Sequence, residues 1–179
     1  MASKSNDDIT LSKQVIEMAT VANEFCYFVE NIEKKEKEIV LEFMQRILPL
    51  LHLKGSLLPE IEPEHPEANE RFVTEEKWER EFNELRQTLG EDDEYWIIDP
   101  QYINDTEPLK ASLSENITDI YQDMKDFLLL MQKNTHAARE NAISECKILH
   151  ANHWGYRVGN IFTRIHHLIY FEEDSSSDF

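Results

Sequence analysis

A chain of 179 residues, 41% apolar and 10% aromatic, is long enough for one domain with a substantial core, and it excludes a wholly disordered protein. Only 4 Gly and 6 Pro leave few turns, which argues for long elements and against a strand-rich fold. The 36 acidic against 18 basic side chains give a net charge of −18, which disfavours direct contact with nucleic-acid backbones or anionic lipid.

Residues 1–8 read as a polar, disordered N-terminus without the apolar core of a signal peptide. The single helical domain spans 9–171. Leu11, Val15, Met18, Ala22, Phe25, Val29 and Ile32 recur at steps of four and three, one stripe of a first helix capped by Asp7 or Asp8. A second helix begins among Glu33 to Glu38, carries Val40, Phe43, Ile47 and Leu50, is kinked at Pro49, and ends before Gly55 or Pro59. Residues 59–73 form a proline-rich acidic connector. The third helix is capped by Thr74, has Glu75 and Glu76 in its first turn, repeats Trp78, Phe82, Leu85 and Leu89, and stops at Gly90.

Residues 91–108 read as a second long acidic loop, carrying Tyr95, Trp96 and Tyr102. A Ser112 and Glu115 capping box then opens a fourth helix with Leu113, Ile117, Ile120, Met124, Phe127 and Met131 on one stripe. The fifth starts near Asn134 or Thr135 and runs through Ala138, Ala142, Cys146 and Leu149; Gly155 and Gly159 bend or interrupt it before Val158, Phe162, Ile165 and Ile169. Residues 172–179 read as a disordered acidic tail. These stripes specify an all-α fold, a single-domain bundle of five to six mostly antiparallel helices. No apolar run approaches the roughly 20 residues of a membrane span.

Charge is uneven. Residues 60–107 hold 17 acids and 4 bases, net −13, whereas 127–171 hold 2 acids and 5 bases, net +3. The two cysteines, Cys26 and Cys146, fall on apolar helical phases and read as reduced core residues of a cytoplasmic protein.

Three stretches carry a family likeness: LPLLHLKGSLLP at 48–59, SENITDIYQDMKDF at 114–127 and HWG at 153–155. With them the chain resembles an uncharacterised all-helical bacterial family of Bacteroidetes type, a domain of unknown function. The resemblance implies a helical fold in a cytoplasmic bacterial setting. It implies no catalytic residue, cofactor or substrate.

Two constellations carry chemistry. Cys146, His150 and His153, spaced four and three apart, fall within roughly 60° of one helical face and hold the donor types of a zinc site. The competing reading places Cys146 on the Ala142 and Leu149 stripe as packing. Asp119, Asp123 and Asp126 flank the apolar stripe of the fourth helix. Asp119 and Asp123 are the candidate catalytic carboxylates of a magnesium-dependent or general-base mechanism, set against a structural ion pair with Arg157 or Arg164. A di-iron bundle is set aside, because the one carboxylate-to-His step of three, Glu62 to His65, lies in the connector. No cofactor is expected.

The reading is a protein-interaction or regulatory adaptor module whose acidic middle meets a basic protein partner; Tyr95, Trp96 and Tyr102 could form a binding lip, or plug the end of the core. Glu91, Asp92, Asp93 and Glu94 are expected to be exposed loop carboxylates with little part in packing. The alternative is a metal-dependent hydrolase using the carboxylates of the fourth helix.

Overall fold

The apolar stripes become six α-helices in the computed structural model, which describes residues 8–98 and 107–171. The expectations for 1–7, for Tyr102 and for the tail 172–179 lie outside the described residues. The helices are α1 (Lys13–Glu30), α2 (Lys37–Ser56), α3 (Glu75–Leu89), α4 (Leu113–Gln132), α5 (His136–Asn152) and α6 (Trp154–Tyr170). α4 is the central rod: it packs against α1, α3, α5 and α6, and 13 of its 20 residues are buried. α2 lies between α1 and α6 and completes the bundle.

Local chemistry sets most helix ends where the sequence places them. Thr74 Oγ1 accepts from Lys77 N, Ser112 Oγ from Glu115 N and Thr135 Oγ1 from Ala138 N, each filling one orphan donor of a first turn. α3 stops at Gly90, whose φ of +58° suits a residue without a Cβ. Asp8 caps a short 3₁₀ turn, Ile9–Leu11, rather than α1 itself.

α2 runs through Pro49 and ends at Ser56, before Pro59, with Gly55 buried inside its last turn. Leu50, expected in the core, is 45% exposed, because Met44, Leu48 and Leu51 occupy the inward arc instead. α5 and α6 are separate helices. The break is at His153, with φ −140° and ψ −85°, and Gly155 lies in the first turn of α6 against the carbonyl of His150.

The segment expected as an irregular acidic loop is partly regular. A 3₁₀ turn, Gly90–Asp93, leads into strand β1 (Glu94–Ile97), which pairs antiparallel with β2 (Leu109–Ser112); Glu94 faces Ser112 and Ile97 faces Leu109. The run Tyr-Trp-Ile suits a pleated ribbon, and its alternation is visible: Tyr95 is buried, Trp96 exposed and Ile97 half-buried. Four-residue strands whose partner begins a dozen residues later leave no periodic signal for a sequence reading.

Tertiary pairing also answers the uneven charge. Lys133 pairs with Glu70 and Arg164 with Asp92 at 3.7 Å, so cations of the C-terminal region neutralise part of the acidic middle within the fold.

Candidate functional site

The aspartates of α4 face three other segments. Asp119 Oδ1 accepts from the indole N–H of Trp78 on α3 at 3.0 Å, and Oδ2 meets Arg157 of α6 at 2.8 Å. Asp123, 4% exposed, holds His153 Nδ1 at 2.6 Å through one oxygen and Arg71 at 3.5 Å through the other. Asp126 Oδ1 accepts the backbone N–H groups of Phe72 and Val73 at 2.7 and 2.9 Å, pinning the end of the connector to the bundle. Burial raises the pKa of Asp126, against the pull of those two N–H groups and of Arg71. Arg71 also reaches Glu145 at 2.8 Å. Asp119 and Asp123, the candidate catalytic pair, are thus spanned by a network of ion pairs and hydrogen bonds that ties the connector, α3 and α6 to α4.

The His153–Asp123 contact resembles a catalytic dyad, but the other ring nitrogen is engaged: Arg157 Nε–H donates to His153 Nε2 at 3.3 Å.

Cys146, His150 and His153 are not assembled as a ligand set; among the described residues no group of three or more His, Cys, Asp or Glu is arranged to hold a metal ion. Cys146 is buried, and burial pushes its thiol far above the ordinary range, which disfavours the thiolate a metal requires. The His150 ring lies between His52 and Trp154, 4.7 Å from each centroid. Burial and the nearby His52 lower its pKa, so it stays neutral at pH 7. His153 turns to Asp123 because the chain breaks at that residue, which removes it from the helical face that the spacing implied.

A second site forms where the hairpin meets α6. Asp93, 2% exposed, accepts from Ser114 N at 2.6 Å and from the hydroxyls of Ser112 and Ser114 at 3.0 and 2.9 Å. A carboxylate on the first turn of α4 suits the positive end of that helix and fixes the hairpin to the bundle. The expectation that Glu91 to Glu94 are uniformly exposed and uninvolved in packing is therefore corrected at Asp93. Asp92 also binds Lys37 at 2.5 Å. Beyond this anchor, β1 and α6 enclose a cleft of about 430 Å³, lined by Glu94, Tyr95, Trp96, Ile97 and by Asn160, Thr163, Arg164 and His167. Tyr95 is buried and plugs the bundle end; its pKa is pushed up to about 12 by burial and by Asp93. Trp96 and Ile98 are each 68% exposed. Glu94 is held by Lys110 at 2.5 Å and by Arg86 at 4.0 Å, which lower its pKa. A larger groove of about 700 Å³ between the start of α2 and the ends of α3 and α6 mixes Lys37 with Glu38, Glu42 and Glu91 and offers no convergent set of donors.

A family model described as "Domain of unknown function (DUF5063)" matches residues 9–171. The chain belongs to the DUF5063 family. Among solved structures it is similar to the crystal structure of protein BF1032 from Bacteroides fragilis, at 33% identity and a TM-score of 0.81, covering 91% of this chain and 96% of that one. Among the curated proteins none matches. The DUF5063 assignment agrees with the likeness read from 48–59, 114–127 and 153–155. Sequence reasoning foresaw ionic partners for the α4 aspartates but not Arg71, Trp78 or His153 among them. It named Trp96 as a lip residue without the strand pairing that presents it.

Proposed function

We propose that this DUF5063 protein is a protein-interaction module that docks a basic partner on the hairpin and the acidic surface beside it. The observation that carries this reading is Trp96, a large amphipathic ring 68% exposed on a ribbon held rigid by Asp93, with Ile98 equally exposed one step along. Tryptophans of this kind anchor interfaces at low entropic cost. Glu91, Glu107 and Glu115, exposed just before β1, just before β2 and in the first turn of α4 that follows β2, would steer a cationic surface toward it. The alternative, a metal-dependent hydrolase, draws less support, because Asp119 and Asp123 are spanned by arginine, tryptophan and histidine donors.

The test is comparative capture from an extract of the source cells, with wild type and with Trp96→Ala plus Ile98→Ala as bait. The reading expects a protein retained by wild type, lost by the variant and eluted by salt. An identical set on both baits would contradict it.

A further inference from the structure

The cleft between β1 and α6 is bordered by four consecutive residues, Glu94 to Ile97, although successive side chains of a strand point to opposite faces. A wall built from both faces at once is a strand edge. No residue of β2 lines the cleft, so this is the edge of β1 away from its partner. Among the described residues no backbone hydrogen bond other than those to β2 reaches β1. Such an edge is a template for another extended chain.

We propose that this edge receives an extended, basic peptide segment of a protein partner by strand addition, with α6 forming the opposite wall. The proposal rests on the interaction reading above and names its mode and chemistry. Four residues of β1 span about 13 Å at ~3.3 Å per residue, room for about four residues of an added strand. Its main chain would supply hydrogen bonds, and alternate side chains would supply specificity. Positions beside Glu94 and Trp96 lie on the outward face, where a Lys or Arg meets the open face of an indole ring, the Glu94 carboxylate beside it being already shared by Lys110 and Arg86. Positions beside Tyr95 and Ile97 turn toward Asn160, Thr163, Arg164 and His167, a wall whose arginine is paired with Asp92 and which holds no carboxylate to receive a cation, so it suits small uncharged side chains. The peptide is therefore basic at every second residue. Net charge of −18 favours the same sign of ligand over long range.

The test titrates the full ¹⁵N-labelled chain with three eight-residue peptides: lysine alternating with threonine, glutamate alternating with threonine, and the lysine peptide with its threonine amides N-methylated. The lysine peptide is expected to slow amide exchange within residues 94–97 at least several-fold, to shift the Trp96 indole resonance, and to lose affinity as salt rises. The glutamate and methylated peptides are expected to do neither. Trp96→Ala should raise Kd about two- to fivefold, the share of an exposed cation–π contact, while β1 protection by excess peptide persists. Absence of protection at 94–97, or equal binding by the methylated or acidic peptide, overturns strand addition. Concentration-dependent protection of β1 in the protein alone would give the edge to a second copy and also overturns it. Loss of a captured partner on Trp96→Ala without β1 protection would sink this mode and leave the interaction reading standing.

Discussion

Replacing Glu30 by Gln removes the charge at the junction of α1, α3 and α4. Its carboxylate accepts from Lys77 and Lys125 at 2.8 Å each and from the Tyr121 hydroxyl at 2.7 Å. Burial alone would raise its pKa, but these donors outweigh burial and bring it from 4.5 down to about 2. A shift of that size corresponds to an upper figure of about 3 kcal/mol, which solvent screening of a partly exposed group reduces to about 1–2 kcal/mol. At pH 7 the variant should melt roughly 3–6 °C lower for a chain of this length. Because the folded pKa is depressed, the stabilisation is complete above the unfolded carboxylate pKa of about 4.3 and is lost as pH falls toward 2. The gap between wild type and Glu30→Gln, followed by calorimetry or denaturant melts, should therefore close between about pH 5 and pH 2. A gap that stays constant through that window, or no gap at pH 7, would refute the assignment of Glu30 as the charged hub.

Gly155→Ala places a Cβ 2.2 Å from the backbone oxygen of His150, so the α5–α6 corner must shift; a loss of about 1–3 kcal/mol in denaturant melts is expected, and an unchanged midpoint would contradict the packing. Cys26 and Cys146, both buried with thiols driven upward by burial, should react with a thiol reagent only as fast as the protein opens, and both should titrate after denaturation. Elemental analysis should find no stoichiometric zinc, and chelator should leave the melting temperature unchanged; stoichiometric zinc lost on His150→Ala would restore the Cys146, His150 and His153 site.

What was legible in the sequence is what local chemistry decides. The start of α3 at Thr74 and its stop at Gly90, and the Ser112–Glu115 box of α4, depend on side chains within a turn of the backbone they cap, and the structure has them as expected. The face of α2 was misjudged at Leu50 because apolar residues ring much of that helix, and only its position between α1 and α6 selects Leu48 and Leu51 as inward. The α4 aspartates were recognisable as half-polar neighbours of a core stripe, yet their partners come from distant segments. Arg71 is 52 residues from Asp123 in the chain, and His153 is 30. The zinc-like spacing failed for a related reason, since it assumed a continuous helix where His153 breaks the chain. The hairpin was hidden by its brevity, and with it the role of Asp93 as the anchor of α4.

Association kinetics of a captured partner with wild type and with Glu91→Gln, Glu107→Gln, Glu115→Gln combined, followed by stopped flow across ionic strength, test most directly that the acidic hairpin face is a docking surface. These three carboxylates are exposed, and their neutralisation leaves the Asp93 anchor and the Asp92 ion pairs in place. The account predicts a slower association rate for the variant at low salt and a flatter fall with added salt, at unchanged helix content. Equal rates and equal salt slopes for the two proteins would contradict it.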